Sequence, residues 1–409
     1  MEKQIIPRKS YIKQIEAFVN QNVIKVLMGQ RRVGKSYILL QLMEDIKAKY
    51  HPANIIFIDK ELHKFATIKN DSDLYSYVVM HLKDGNNFLF IDEIQEITSF
   101  EKCLRSLLNE GKCDIYCTGS NAQLLSGELA TMLAGRYAAF EIHSLSYLEF
   151  LEFNHIENSN DAINQYLTIG GMPFLPNFGS DKNASFEYLK NVYSSILLKD
   201  VVARQNIRNV ALLESLVAYL VDNVGNILSA FNISKYLKSQ QIILTPQTII
   251  SYLHALCSAF FVYRTPRADV NGLKIFETGE KYYFEDIGLR NAIRSFNFRN
   301  DVNKLMENAV FMQLKRCGYA VYVGKNADRE VDFVAEKNGE RLYIQVAYML
   351  YDENVMQREF GNLLEIKNNF PKMVVTMDEI PVGSYKGIRQ VHLREFLSNA
   401  DYTSRGVIL

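Results

Sequence analysis

Gly29, Gln30, Arg31, Arg32, Val33, Gly34, Lys35 and Ser36 fit the pattern G-x-x-x-x-G-K-[ST] in full. The run follows an apolar stretch, Ile24–Met28, and opens a helical pattern, Tyr37–Lys47. That is the strand–loop–helix context a phosphate-binding loop needs. Glycines let backbone N–H groups curl around an anion, and the positive end of the helix dipole faces the same anion. Lys35 is expected to reach the β- and γ-phosphates of ATP, and the Ser36 hydroxyl to ligate Mg²⁺. Gln30, Arg31, Arg32, Val33 and Tyr37 complete the expected nucleotide-binding set around Gly29 and Gly34. Arg31 and Arg32 are open between phosphate and partner contacts.

A second constellation is Phe88-Leu89-Phe90-Ile91-Asp92-Glu93, an apolar run ending in two carboxylates. Asp92 is the expected Mg²⁺ residue, and Glu93 the general base that polarises the attacking water. Thr118-Gly119-Ser120-Asn121 follows another apolar run. In a sheet whose ligands sit at the carboxyl ends of strands, Ser120 and Asn121 are candidates for touching the γ-phosphate or the water. Arg136 is a candidate arginine finger, acting in its own chain or on a neighbour in a homo-oligomer.

These residues require a particular scaffold. Apolar strands at Ile24–Met28, Asn54–Asp59, Phe88–Asp92, Asp114–Thr118 and Ala138–Ile142 alternate with helical segments. Several are continuous apolar runs, as parallel strands covered on both faces are. The rhythm predicts a doubly wound α/β sheet. From about residue 145 the pattern turns helical, punctuated by Gly170-Gly171-Met172-Pro173. Residues 210–265 hold three helical patterns, with a strand pair near Val262–Arg264 and Lys281–Phe284. This is a winged-helix arrangement. A helix at Val302–Cys317 leads to a strand, Ala320–Gly324, and a hairpin, Glu330–Glu336 with Arg341–Tyr348, turned at Asn338-Gly339. A helix, a strand at Met373–Thr376 and a last strand-helix around Gln390–Leu397 complete the tail.

Composition sets bounds. The chain has 409 residues, 48% hydrophobic and 22% charged, with 46 Lys plus Arg against 46 Asp plus Glu. Such numbers suit several packed cores, and neutrality neither supports nor excludes nucleic acid. Five cysteines without a CxxC pair disfavour a zinc site or a disulfide framework. The N-terminal residues lack the apolar core of a signal peptide, and no run approaches membrane-spanning length. A cytoplasmic protein is expected.

The set GQRRVGKS, LFIDEIQ, TGSNAQLL, LAGRY, GGMP, LLKDVVAR, KYYFEDIGLR and VDFV…YIQVAY resembles the prokaryotic AAA+-related ATPases that carry a C-terminal restriction-endonuclease-like domain. The resemblance implies a P-loop AAA+-like parallel sheet over residues 1–145, a helical lid over 146–209, a winged helix over 210–290 and a nuclease-like α/β domain over 291–409. It implies ATP and Mg²⁺ as cofactors.

The tail resembles PD-(D/E)xK enzymes, which need carboxylates for Mg²⁺ and a lysine near the attacking water. A two-residue turn at Asn338-Gly339 sets Asp332 opposite Gln345 and Glu330 opposite Ala347, on one face. Glu307 on the preceding helix can join them. Gln345 and Ala347 stand where the motif has a carboxylate and its lysine, so a degenerate domain is expected. Lys325 and Arg329 are the candidates for a displaced lysine. The helix expected to read DNA, Pro246–Phe261, offers Gln247 and His254 but no Lys or Arg; Lys235, Lys238, Arg264 and Arg267 lie nearby. The expected function is a slow Mg-dependent ATPase acting as a nucleotide-controlled switch. The alternatives are an ATP-driven DNA-binding or processing protein and a metal-dependent nuclease.

Overall fold

The computed structural model describes residues 6–122, 135–270, 272–294, 297–350, 352–379, 383–399 and 402. The N-terminal residues 1–5 and parts of two quoted motifs, Gln123–Leu125 and Leu133–Ala134, lie outside them. The chain divides into two compact units, residues 1–143 with 258–260, and residues 144–257 with 261–409. Among the described residues, no helix is long and apolar enough to cross a membrane.

The first unit begins with α1 (Lys9–Glu16) and then alternates strands and helices: β1 (Ile24–Met28), α2 (Lys35–Lys49), β2 (Ala53–Asp59), α3 (Asp71–His81), β3 (Asn86–Asp92), α4 (Phe100–Asn109), β4 (Asp114–Gly119) and β5 (Tyr137–Glu141). The five strands form a parallel sheet in the order β2-β3-β4-β1-β5. Every residue of β1 is buried, and so is all of β3 after its first residue. These are the continuous apolar runs that a sheet covered on both faces requires. The expected strands are present, with ends displaced by a residue or two.

The second unit starts with helices α5 (Tyr147–Asn154), α6 (Asn160–Ile169), α7 (Lys182–Ser195), α8 (Val210–Asp222), α9 (Ala230–Ser239) and α10 (Pro246–Ser258). A π-helical turn, Ile196–Ala203, extends α7. Strands β6 (Val262–Asp269) and β7 (Ile275–Phe284) follow, then α11 (Ile287–Ile293), α12 (Phe298–Arg316), β8 (Ala320–Asn326), β9 (Arg329–Lys337), β10 (Glu340–Val346), α13 (Glu353–Leu364), β11 (Lys372–Thr376), β12 (Ser384–Tyr385), β13 (Ile388–His392) and α14 (Leu393–Ser398). All eight strands join one sheet, in the order β12-β13-β11-β10-β9-β8-β6-β7.

The pair β6–β7, expected as the wing of a winged helix, therefore continues the C-terminal sheet. β6 pairs in parallel with β8, Arg267 against Val323, so hydrogen bonds cross the boundary expected at residue 290. Local pattern showed a hairpin; the partner of its outer edge is a tertiary matter.

The hairpin β9–β10 turns as expected. Asn338 and Gly339 both have positive φ, 54° and 83°, as a tight two-residue turn demands. Its register pairs Lys337 with Glu340 and Phe333 with Ile344. Below it, Val331, Val334, Tyr343, Phe360, Leu363 and Val374 form a buried apolar cluster that seats α13 on the sheet.

The motifs around Gly171 and Asp286 hold this unit together. Gly171 N–H donates to Asp286 Oδ2 at 2.7 Å, and Leu145 N–H donates to Gly171 O at 2.7 Å. A Cβ on Gly171 would lie 2.4 Å from Leu145 O, so only glycine fits. Asp286 also caps α11 by accepting from Leu289 N–H at 2.9 Å. Burial pushes its carboxyl up to about 6, against the two backbone donors.

Candidate functional site

β1, β4 and β3 are neighbours, and their carboxyl ends lie side by side, with Met28 against Gly119 and Ile91 against Cys117. Each strand ends in a candidate segment: Gly29 to Ser36 after β1, Asp92-Glu93 at the end of β3, and Ser120-Asn121 after β4. The topology thus gathers three separate stretches of sequence at one edge, where ligands of such sheets bind.

The loop is shaped by backbone that side chains would spoil. Gly29 has φ 147°, and a Cβ there would sit 2.1 Å from Ile142 O. Gly34 (φ 96°) caps α2, and Arg32 also has positive φ, 71°. Lys35 is 4% exposed; its Nζ donates to Gly29 O and Gln30 O, each at 3.0 Å. Val33 is buried, and its carbonyl accepts from Arg8 Nη1 at 3.1 Å. Arg8 also donates to His143 O at 2.8 Å and so pins the loop from behind. Gln30 is fully buried, and its side-chain amide has no hydrogen-bond partner among the described residues. Arg31 lies 3.7 Å from Glu61, while Arg32 and Tyr37 are exposed.

At the strand ends, one hydroxyl ties the acid pair together. Thr118 Oγ1 donates to Asp92 Oδ1 and accepts from Glu93 N–H at 2.9 Å. The Ser36 side chain lies near enough to favour the charged form of Asp92. Asp92 is 4% exposed, and burial raises its pKa; the Thr118 and Ser36 hydrogen bonds oppose the rise, while Glu93 and Asp59 add to it. Glu93 has φ 55°, a conformation uncommon outside glycine. Its Oε2 accepts from Gln95 Nε2 and, at 3.4 Å, from Ser120 Oγ. Asn121 is buried just beyond.

Arg136 is elsewhere. Its carbonyl accepts from Ile24 N–H at 2.9 Å, at the amino end of β1, whereas the loop leaves the carboxyl end. The exposed guanidinium donates to Asn109 Oδ1 on α4. The structure does not bring Arg136 to the phosphate loop of its own chain, because β5 runs parallel to β1 and Arg136 precedes it.

Sequence reasoning missed Arg8, Thr118 and Gln95 as supporting residues. Thr118 carried a signal, a polar residue ending an apolar strand next to the acid pair. Arg8 carried none.

Residues 21–151 match the model of an AAA domain, and residues 160–300 match a domain of unknown function, DUF8612. An uncharacterized protein of Haemophilus influenzae is 33% identical over 404 residues, which is 97% of this chain and 100% of that protein. An uncharacterized protein of Methanocaldococcus jannaschii is 31% identical over 84% of this chain and 78% of its own length. The chain belongs to the family of these two proteins. The AAA match takes in the loop Gly29–Ser36 and the acid pair Asp92-Glu93, and it marks residues 21–151 as an ATP-binding P-loop ATPase domain. A Walker-type ATPase of Pyrococcus abyssi has a similar fold, with a TM-score of 0.52 at 15% identity over 71% of this chain and 96% of that one.

In the second unit of this family member, the tail residues also converge. Asp332, Gln345 and Ala347 are buried, and Val346 N–H donates to Asp332 Oδ2 at 2.9 Å. The proposed stand-ins for a displaced lysine are engaged elsewhere: Arg329 pairs with Glu365 at 2.9 Å, and Lys325 lies over the Phe276 ring. A lysine the sequence reading did not select, Lys281 on β7, contacts Glu307, Glu330 and Asp332 instead.

Proposed function

We propose that this chain binds ATP with Mg²⁺ at the loop Gly29–Ser36 and hydrolyses it slowly, as a nucleotide-controlled switch. The observation that carries this reading is the junction of loop and acid pair: Thr118 Oγ1 donates to Asp92 and accepts from Glu93 N–H, and the Ser36 side chain at the end of the loop favours the charged form of Asp92. The residues fit the ligand. Only a glycine permits the bend at 29, a buried ammonium lies against the loop's carbonyls, and the buried Gln30 amide awaits partners. Mg²⁺, when bound, would neutralise phosphate charge; Ser36 and Asp92 would hold it. Glu93 is the general base, held by Gln95 and Ser120 before reaction, with Asn121 beside it. Gln30, Arg31, Arg32, Val33, Gly34, Lys35 and Tyr37 surround the nucleotide. Arg136 serves a neighbouring copy in a homo-oligomer.

Within the second unit, residues 146–209 act as lid, and residues 210–290 act as a winged-helix module whose strand pair β6–β7 is shared with the sheet of a degenerate nuclease-like domain, 291–409, that relays nucleotide state. A role on DNA finds less support. Phe231, Tyr236, Ile243 and Ile250 are the large apolar side chains exposed across α9, α10 and the turn between them. Lys235 and Lys238 are exposed among them, but Arg264 is tied to Glu280 at 2.5 Å. The test is Glu93→Gln: nucleotide binding with Mg²⁺ should persist while phosphate release stops. Undiminished hydrolysis by the purified variant would remove Glu93 from the role of base.

A further inference from the structure

The sheet edge β7, the hairpin strand β9 and helix α12 each send charged side chains to one buried point. Lys281, 1% exposed at its side chain, sits at the centre. Its Nζ is 2.8 Å from Glu307 Oε1, 2.8 Å from Glu330 Oε1 and 3.4 Å from Asp332 Oδ1. An ammonium has three N–H donors, and here it meets three carboxylates. Two further donors reach the same carboxylates. Tyr283 O–H donates to Glu307 Oε1 at 2.5 Å, and Val346 N–H donates to Asp332 Oδ2.

We propose that the Lys281 ammonium is the resident cation of this carboxylate site, seated where a divalent metal would have to bind, so that the second unit is held by a tethered charge and takes up no divalent metal. The geometry makes the two cations alternatives. Divalent ions bind carboxylate oxygens at about 2.0–2.6 Å. A metal on Glu307 Oε1 and Glu330 Oε1 would crowd an ammonium already 2.8 Å from both. The two positive charges would also repel in a poorly solvated place. Lys281 is as dependent on the carboxylates as they are on it, since a buried ammonium without partners is costly. Three carboxylates against one ammonium leave negative charge over. Tyr283 O–H, donating to Glu307 Oε1, helps hold that charge in place.

This differs from a nuclease site with a displaced lysine, in which ammonium and metal must be present together. It also rests on residues outside the nucleotide site, so its fate is independent of the ATPase reading.

The experiment is Mn²⁺ titration of the full-length chain without nucleotide, followed by calorimetry and by the bound-metal spin signal. The variants are Lys281→Met, which keeps the side-chain length and removes the charge, Asp332→Asn, and the two together. Wild type should show no saturable Mn²⁺ binding that depends on Asp332. Lys281→Met should gain a saturable site, and the added Asp332→Asn should abolish it. Wild-type binding that Asp332→Asn removes would overturn the proposal, as would a folded Lys281→Met that binds no metal. Should Lys281→Met unfold, added Mn²⁺ must restore its cooperative melting; failure to do so would also overturn it.

Discussion

Thr118→Val isolates the hydroxyl that joins the two acids. Valine keeps the shape of threonine, so the buried packing of β4 is preserved. Two hydrogen bonds disappear: the donation to Asp92 Oδ1 and the acceptance from Glu93 N–H. The first supports the charged form of a carboxyl whose pKa burial has already raised, and the charged form is the one that grips metal. Losing a hydrogen bond to a charged group costs about 1.5–3 kcal/mol. At 1.4 kcal/mol per factor of ten, the Mg²⁺ concentration for half-maximal hydrolysis should rise roughly tenfold to hundredfold. The sign with pH follows. A raised carboxyl pKa means protons compete with metal, so the defect should deepen as pH falls. Nucleotide affinity without Mg²⁺ should change little, because the glycine loop and Lys35 do not touch Thr118. The assay is phosphate release against Mg²⁺ at several pH values. A Thr118→Val chain with the wild-type Mg²⁺ midpoint at every pH would refute the reasoning.

Three further outcomes are expected. Gly171→Ala forces a Cβ to 2.4 Å from Leu145 O and strains the bond to Asp286, so it should cost about 3 kcal/mol and lower the melting temperature by roughly 6–12 °C by calorimetry. Asp286 has a folded pKa of about 6, above its unfolded value, so its contribution is fully present below the unfolded pKa and is lost as pH rises through about 6; Asp286→Asn should flatten the fall in urea midpoint over that window. Arg136→Ala should leave ATP binding intact and lower hydrolysis by about 10³–10⁵ only at concentrations where copies associate, as a plot of rate per chain against concentration would show.

Much of the first unit is legible in the sequence because its determinants are local. Apolar runs such as Phe88–Ile91 announce buried parallel strands, and the glycine spacing announces the loop. The β9–β10 register follows from Asn338-Gly339 alone, since a two-residue turn fixes every pair beyond it. What stayed hidden depends on long-range pairing. Lys281 meets Asp332 across 51 residues, through β6 joining β8, and no periodicity reports which edge a hairpin will choose. Arg8 reaches Val33 across 25 residues from an ordinary-looking helix start. Arg136 was legible as a candidate, but its place at the wrong end of β5 needed the strand direction.

The most direct measurement is titration of a fluorescent ATP analogue into wild type and Lys35→Ala in the presence of Mg²⁺. Saturable binding by wild type, lost when the ammonium against Gly29 O and Gln30 O is removed, is what the proposed site predicts. Equal binding by a folded Lys35→Ala chain would contradict it.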